Sequence, residues 1–579
     1  MADHLQSPRL DDNNCDKEGL ALHKQFDDKP SESQPYLVAR LSLNSFALAD
    51  IFHECVEGIT ADFARKQIVN RISKTKMKID NFVLNTGRKL CIRKLHRTIP
   101  SLTAEKIITH DMVNPCVKKM KFEVRGPLLL RALEIQEELA KGIKKPFTNV
   151  IRANIGDCHA TGQQPITYLR QLLAACTFPK LMDTDYIPSD LKKRAQEILS
   201  CCDGNSLGAY SDAWGIKCLR EHAAEYIHKR DGHSCDYKNI LSSAGATDAI
   251  RSVLKVITNT DNKTGIMIPI PQYPLYSAAI AEHGAYQVNY PLNEDQDWGI
   301  DESSLQETFD EAKKHCNPKA IVVINPGNPT GQVLLKKDVE AVIRFAHKNR
   351  LLIMADEVYQ FNIYVDDRTF VSFRKCLIEM GKPYSDMELV SFFSASKGYT
   401  GECGARGGYF ECLNFDPTVI AELVKLMSTP LCPSVWGQAL TCGIVNPPAE
   451  GEPSYALFKK ESSQILKDLR TKAELVTELL NKMEGVKCNK VMGAMYAFPK
   501  LTLPTKFLQK AKERNVPADA LYCRKILENT GICILPGTGF LQLPGTYHFR
   551  TTILPQVDQI KILLDRLGQY HKKLMLEYK

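Results

Sequence analysis

The chain has 579 residues, of which 44% are hydrophobic and 25% are charged, and its formal net charge is +8. This length allows more than one domain and a large core. No apolar run reaches the roughly 18 residues that a membrane span requires, which argues against an integral membrane protein.

The cysteines and the basic residues are distributed in ways that exclude several classes of protein. The 19 cysteines form no CxxC pair, which argues against a zinc ribbon or a disulfide scaffold and favours a reducing compartment. We expect no metal site. Residues 62–97 contain eleven Lys or Arg and two acids. This local excess is larger than the net charge, so the rest of the chain is about neutral and nucleic-acid binding there is not expected.

The first part of the chain is predicted to lie outside the globular body. Residues 1–36 are polar, acidic and unpatterned, which predicts disorder. The basic stretch from Met77 to Ser101 resembles a mitochondrial presequence, although it could act as one only if translation begins near Met77. An extension with no targeting role explains the same composition. We therefore assign residues 1–105 to a disordered or targeting extension, and the predicted compartment is either the mitochondrial matrix or the cytoplasm.

The next part of the chain has the periodicity of a globular α/β domain. Apolar residues at three- and four-residue steps predict a helix over 126–143. Residues 319–325, 350–356 and 387–394 are apolar throughout, which is typical of strands buried in a parallel sheet. Residues 336–350 predict a crossover helix between the first two of these strands.

The elements become less regular after about residue 452, which suggests a second, smaller α+β domain. We therefore predict three segments after the extension. Residues 106–175 form an arm and the N-terminal part of the small domain, 176–451 form the large domain, and 452–579 form the C-terminal part of the small domain.

Four predicted strands are followed by residues that suit a ligand, and in parallel sheets ligands bind at the carboxyl ends of the strands. "AGATDAI" (244–250) opens a helix whose free N–H groups suit a phosphate. "NPGNPTG" (325–331) is rich in amides. Asp356 is a carboxylate that is costly to bury without a cation, and Lys397 follows the last strand.

Each feature also has an ordinary structural explanation, such as turn chemistry, a helix cap or a surface lysine. Together, however, they match the needs of pyridoxal 5′-phosphate. This cofactor requires an amine for its aldehyde, an anion for its ring nitrogen, donors for its phenolic oxygen, and a helix N terminus with a cation for its phosphate.

Longer motifs resemble those of a known family. "NPGNPTG", "ADEVYQ", "SASKGYTGECGARGGY" and "GTYHFRTTIL" resemble the class I and II aminotransferases of fold type I. "VRGPLLLRALE", "VIRANIGD", "IPIPQYPLYSA" and "GAMYAFP" are similar to segments of the alanine aminotransferases within that superfamily. The resemblance covers about residue 108 to the C terminus. It implies a large, pyridoxal-phosphate-binding domain with a mostly parallel seven-stranded sheet covered by helices, and a smaller α+β domain.

The resemblance also implies roles for individual residues. The catalytic residues would be Lys397, which forms a Schiff base with the cofactor, Asp356 and Tyr359. The cofactor would be bound by Lys397, Ala246, Thr247, Tyr273, Asn328, Asp356, Tyr359, Ser394, Arg406 and, from the neighbouring subunit of a homodimer, Tyr210. The substrate would be bound by Arg550, Asn328 and Gly156. Tyr273 has an alternative explanation as a structural tyrosine in a proline-rich turn. We expect burial and Arg406 to lower the pKa of Lys397.

The implied reaction is transamination of L-alanine and 2-oxoglutarate to pyruvate and L-glutamate, by a ping-pong mechanism through Lys397. The partners would be small amino acids and 2-oxo acids. One alternative is another fold-type I aminotransferase or a lyase, which would share the cofactor site. A second is a non-catalytic regulator that binds DNA through residues 62–97, although that segment has no helix-turn-helix pattern. Ala244, Ala395 and Trp436 depart from the family's pattern, and none of them is a predicted site residue.

Overall fold

The computed structural model describes residues 106–122 and 126–579, and Ile108–Lys579 form one compact unit. The predicted extension, with its basic segment 62–97, lies outside the described residues. The helices are α1 Pro115–Lys119, α2 Pro127–Ala140, α3 Thr167–Thr177, α4 Ser189–Ser200, α5 Lys217–Asp231, α6 Ala246–Ile257, α7 Leu275–His283, α8 Glu302–Ala312, α9 Lys336–Asn349, α10 Phe373–Glu379, α11 Pro417–Met427, α12 Val435–Val445, α13 Tyr455–Asn481, α14 Thr505–Glu513, α15 Ala518–Thr530 and α16 Val557–Glu577. The strands are β1 Ile151–Arg152, β2 Ile240–Ser243, β3 Thr264–Ile270, β4 Tyr286–Pro291, β5 Asn317–Ile324, β6 Leu352–Asp356, β7 Leu389–Ser394, β8 Gly408–Leu413, β9 Val486–Lys487, β10 Tyr496–Ala497, β11 Lys500–Leu501, β12 Ile532–Cys533, β13 Leu535–Pro536 and β14 Phe549–Thr552.

A seven-stranded sheet in the order β2-β8-β7-β6-β5-β3-β4 forms the centre of the fold. Strands β3 to β7 pair in parallel, and β8 is antiparallel to both of its neighbours. Every residue of β6 after Leu352 is buried, and so is every residue of β7. The sequence prediction of a mostly parallel, doubly covered sheet is therefore confirmed.

The helix α9 shows why the crossover segments of this sequence fold as they do. Asp338 accepts a hydrogen bond from the Leu335 N–H at 3.0 Å and so caps the N terminus of the helix. Val339, Val342 and Ile343 follow at the spacing of one helical face and are fully buried. This face covers the sheet between β5 and β6, as the periodicity predicts.

The hairpin formed by β7 and β8 determines the position of the loop 395–407. The two strands pair antiparallel, with Ser394 opposite Gly408. The end of β7 and the start of β8 therefore lie at the same edge of the sheet. Lys397 and Arg406, nine residues apart in sequence, both belong to the loop that joins them.

The C-terminal region has a different architecture, with short strands between helices. Strand β14 pairs antiparallel with β10 and with β13, and β12 pairs in parallel with β1. Ile151 and Ala153 belong to the same buried core as residues of α13, α15 and α16. This packing agrees with the predicted α+β character of the region, while the boundaries at 175/176 and 451/452 stay a prediction.

In the described part of the chain, none of the helices is both long and apolar enough to cross a bilayer.

Candidate active site

A cavity of about 680 Å³ lies at the carboxyl ends of β5, β6 and β7. Its walls include most of the predicted site residues: Gly156, Ala246, Thr247, Tyr273, Asn328, Asp356, Tyr359, Ser394, Lys397, Arg406 and Arg550. These residues come from segments up to about 390 positions apart in sequence. Their meeting at one sheet edge confirms that the strand ends converge there.

One end of the cavity has the properties of an anion cradle. Helix α6 begins at Ala246, so its first N–H groups are free to bind a ligand. Arg406 Nη2 donates to the Ala244 carbonyl at 3.0 Å, which holds the guanidinium beside the helix terminus. Gly245 has φ +84°, and a Cβ there would lie 2.8 Å from Arg406 Nη2. The close approach of backbone and guanidinium therefore requires glycine at this position.

A buried carboxylate lies at the end of β6. Asp356 is only 5% exposed, and its Oδ2 accepts a hydrogen bond from the Tyr276 hydroxyl at 2.9 Å. Among the described residues, Asp356 Oδ1 has no hydrogen-bond partner. Burial raises the pKa of Asp356 from 3.8 to about 6, against the lowering effect of Tyr276, the Val358 N–H and Lys397. A cationic group on a ligand would relieve this penalty.

Lys397 lies beside phenol rings in the same cavity. Its Nζ is 5.5 Å from the centroid of the buried Tyr359 ring. Burial lowers the pKa of Lys397, but Tyr359, Tyr496, Cys403 and Tyr273 raise it, and the net pKa lies well above its ordinary value. The expectation of a lowered pKa is therefore wrong for this arrangement, because the phenols outweigh burial and Arg406 is not among the main influences.

Arg550 lines the same cavity, where it is buried and held by two hydrogen bonds. Its Nη1 donates to Asn328 Oδ1 at 3.2 Å, and its Nη2 donates to the Asn154 carbonyl at 2.7 Å. The guanidinium lies 4.1 Å from the Tyr496 ring centroid and 4.6 Å from the Phe540 centroid. Burial lowers the pKa of Arg550. A buried arginine with no carboxylate partner among the described residues suits an anionic ligand.

Gly156 and Tyr273 complete the wall. A Cβ on Gly156 would lie 1.8 Å from the Tyr496 hydroxyl, so only glycine allows the phenol to approach. Tyr273 lines the cavity and meets Phe122 edge-on with centroids 6.3 Å apart. The stacking of Tyr273 on a flat ligand stays a prediction.

Some positions that were singled out in the sequence lie elsewhere. Tyr210 does not line the cavity and is 70% exposed. Trp436 is 46% exposed and lines a separate cavity of about 440 Å³. Ala395 is fully buried. The substitutions at Ala244 and Ala395 have no evident consequence for the contacts described above.

Sequence reasoning missed three residues: Tyr276, Tyr496 and Asn154. Tyr276 follows Tyr273 by one helical turn in "PQYPLY", and this spacing could have indicated it. Tyr496 is the aromatic residue of "GAMYAFP", a motif that was recognised without a role for its tyrosine. Asn154 acts through its backbone carbonyl, for which the sequence carries no signal.

This arrangement fits pyridoxal phosphate as a ligand. The cradle of α6 and Arg406 suits a phosphate, and Lys397 supplies an amine. Asp356 Oδ1, which has no partner among the described residues, suits a protonated ring nitrogen.

Comparison with known proteins identifies the family. The family "Aminotransferase class I and II" matches residues 177–567. Alanine aminotransferase 2 of Xenopus tropicalis is 52% identical over 480 residues, covering 82% of this chain and 92% of that protein. A relative from Dictyostelium discoideum named "Probable alanine aminotransferase, mitochondrial" is 42% identical over 489 residues, covering 83% of this chain and 91% of that protein.

A solved structure described as alanine aminotransferase from Pyrococcus furiosus superposes with a TM-score of 0.63 at 23% identity, covering 79% of this chain and 99% of that chain. At this identity the likeness concerns the fold, and it confirms the predicted fold-type I architecture. Together with the family match and the sequence relatives, it shows that the chain belongs to the class I and II aminotransferases and, within them, to the alanine aminotransferases.

Proposed function

We propose that this protein binds pyridoxal 5′-phosphate and transfers the amino group of L-alanine to 2-oxoglutarate, giving pyruvate and L-glutamate. The observation that carries the proposal is the shared cavity, in which Lys397, Asp356, Arg406 and Arg550 provide an amine, a buried carboxylate and two guanidinium groups. The relatives named above support alanine as the amino donor.

Noncovalent contacts would hold the cofactor at two positions, its phosphate and its ring nitrogen. Arg406 and the start of α6 at Ala246 and Thr247, with Ser394 nearby, would bind its phosphate. Asp356 would keep the ring nitrogen protonated. When bound, the cofactor supplies an aldehyde that joins an amine and a ring that accepts an electron pair.

The side chains of this chain would perform the remaining steps. Arg550 would bind the α-carboxylate of the substrate, since its planar fork presents paired donors and its orientation is fixed by Asn328 and two aromatic rings. This fixes the substrate Cα near Lys397. Lys397 Nζ would then remove the Cα proton and return it to the cofactor carbon that had carried the aldehyde. Tyr359 would donate a hydrogen bond to the cofactor's phenolic oxygen.

The proposal is tested by Lys397→Ala together with Lys459→Ala, an exposed lysine outside the cavity. We expect Lys397→Ala to abolish turnover and the visible absorbance of the cofactor bound covalently to this lysine, while the protein still folds. Borohydride reduction of the unaltered protein, followed by peptide mapping, should leave the label on Lys397. Lys459→Ala should behave as the unaltered protein.

Two results would contradict the proposal. A label on a different residue would overturn the role of Lys397. Assays with a panel of amino donors test the reaction itself, because an enzyme that ignores alanine, or that releases pyruvate without an acceptor, would be another aminotransferase or a lyase.

We further propose that the active enzyme is a homodimer with composite sites. The support is the position of Tyr210, which is outside the cavity of its own chain and is 70% exposed. For the compartment, sequencing of the mature N terminus separates the two predicted cases. A start between about residues 95 and 110 would indicate import into mitochondria, and an intact Met1 would indicate the cytoplasm.

A further inference from the structure

Among the described residues, four basic side chains line the cavity: Arg152, Lys397, Arg406 and Arg550. Of these four cations, the proposed reaction leaves one without a role. Three of them have partners in the proposal, namely the aldehyde, the phosphate and the α-carboxylate. Arg152 is exposed, and within residues 106–122 and 126–579 its guanidinium makes neither an ion pair nor a hydrogen bond.

The backbone fixes Arg152 close to the substrate arginine. Arg152 ends β1, where it pairs with Cys533 of β12. Two residues later, the Asn154 carbonyl accepts the hydrogen bond from Arg550 Nη2 at 2.7 Å. Two residues span at most about 7 Å. The backbone of Arg152 therefore lies within about this distance of the residue that binds Arg550.

Part of the cavity wall is apolar, although Asp157 also lines the cavity. Leu129 and Leu133 lie one turn apart on α2, and they line the cavity together with Phe122 and Ile155. An alkyl chain can pack against such side chains, whereas a carboxylate needs a cation. The cavity therefore offers an alkyl chain an apolar surface, and it offers carboxylates two arginines, Arg550 and Arg152.

We propose that Arg152 binds the distal carboxylate of the dicarboxylic substrates, 2-oxoglutarate and L-glutamate, while Arg550 binds their α-carboxylate. This inference rests on the proposed function. Both cations would pair with carboxylates in planar, bidentate geometry. Alanine and pyruvate have no distal carboxylate, and an exposed arginine can return to water when they occupy the cavity. One cavity can thus accept both a small neutral side chain and an acidic one.

The test compares Arg152→Gln and Arg152→Lys with Arg514→Gln, which removes an exposed arginine that does not line the cavity. Loss of a charge-assisted hydrogen bond should raise KM for 2-oxoglutarate and glutamate roughly 10- to 100-fold in Arg152→Gln. KM for alanine and pyruvate should stay within about twofold of that of the unaltered enzyme, because only dicarboxylates lose a contact. Arg152→Lys should be intermediate, and Arg514→Gln should change none of these constants.

Inhibition by unreactive acids gives a second readout. Glutarate and valerate have the same number of carbons, but only glutarate carries a second carboxylate. We expect Arg152→Gln to weaken inhibition by glutarate and to leave inhibition by valerate unchanged. Thermal unfolding and the cofactor absorbance of each variant show whether its fold and cofactor site are intact.

The outcomes separate this inference from the proposed function. If the unaltered protein transfers no amino group from alanine, the proposed function fails. If it does, but Arg152→Gln keeps its KM for 2-oxoglutarate or weakens alanine and 2-oxoglutarate equally, then only the role of Arg152 is overturned. If Arg152→Gln and Arg152→Lys are both unstable, Arg152 has a structural role, and the inference is likewise overturned.

Discussion

At the scale of single residues, the chemistry of the site depends on a carboxylate held in an unfavourable place. Asp356 is buried, and one of its oxygens has no partner among the described residues. The folded protein therefore carries a cost that a bound cation would relieve. Functional sites commonly retain such a buried group although it lowers the stability of the folded protein.

Asp356→Asn tests this cost. The pKa of Asp356 is about 6 in the folded protein and 3.8 without its environment. Ionisation of Asp356 therefore destabilises the folded state fully above about pH 6, and this destabilisation is lost as the pH falls toward 4. The cofactor-free variant should be more stable than the cofactor-free parent at pH 7, by up to about 3 kcal/mol, and this difference should shrink toward pH 4. Urea unfolding at several pH values measures it.

The same substitution should abolish most of the turnover, because asparagine cannot hold a proton on the ring nitrogen. A variant that is destabilised at neutral pH, or that keeps normal turnover, would contradict this account of Asp356.

Tyr276→Phe tests the contact that the sequence did not reveal. Tyr276→Phe removes the 2.9 Å hydrogen bond to Asp356 Oδ2, while Oδ1 has no partner in the described part of the chain. The pKa of Asp356 should then rise further, because the hydroxyl of Tyr276 lowers it. We expect kcat to fall about tenfold and the acid limb of the pH–rate profile to move to higher pH. An unchanged profile would mean that Tyr276 only packs against its neighbours.

At the scale of elements, the turn before α6 brings the backbone close to Arg406. Gly245 has φ +84°, and a Cβ at this position would lie 2.8 Å from Arg406 Nη2. Gly142 has a similar φ of +78°, but a Cβ there would have no neighbouring atom within 4 Å. Alanine at either position should cost about 1 kcal/mol of stability through backbone strain. Both substitutions introduce backbone strain, but only the one at Gly245 displaces the Arg406 guanidinium. A comparison of the two variants therefore distinguishes these effects.

Gly245→Ala should weaken cofactor affinity about tenfold or more, while Gly142→Ala should leave it unchanged. Absorbance titration of the cofactor-free proteins measures the affinity, and thermal unfolding measures the shared loss of stability. Equal cofactor affinity in the two variants would remove Arg406 and the start of α6 from the phosphate site.

The elements also show how far the sequence alone can lead. Periodicity identified β5, β6, β7 and α9 because burial on one face or on both leaves a direct pattern in the chain. The residues that follow these strands were found because the end of each apolar run shows where the strand ends. The contacts of Tyr496 and Asn154 with Arg550 were not found, because they join separate segments, 54 and 396 residues from Arg550, through packing that no local pattern encodes. The predicted lowering of the Lys397 pKa was wrong because this pKa depends on phenols from three segments that only the fold brings together.

At the scale of the whole molecule, the proposed dimer makes a prediction about mixed subunits. If Tyr210 serves the neighbouring site, Tyr210→Ala should weaken cofactor binding in the homodimer. A hybrid of one Tyr210→Ala chain and one Lys397→Ala chain then contains one site with both residues intact. Mixing the two variants should therefore restore cofactor affinity and activity in part, up to the fraction of hybrids formed.

Refolded mixtures, assayed against each variant alone, measure this recovery, and sedimentation gives the oligomeric state. No recovery in a mixture that does form hybrids would assign Tyr210 to its own chain or to the surface.

The antiparallel β8 has a consequence for how the two ends of the proposed cofactor would be supported. Because β7 and β8 form one hairpin, Lys397 and Arg406 are anchored to the same pair of hydrogen-bonded strands. Movement of other parts of the protein during turnover would then change the distance between the proposed aldehyde and phosphate supports little. The span between them is built into thirteen consecutive residues, 395–407, and a change in the length of this loop would mismatch that span to the molecule it must hold.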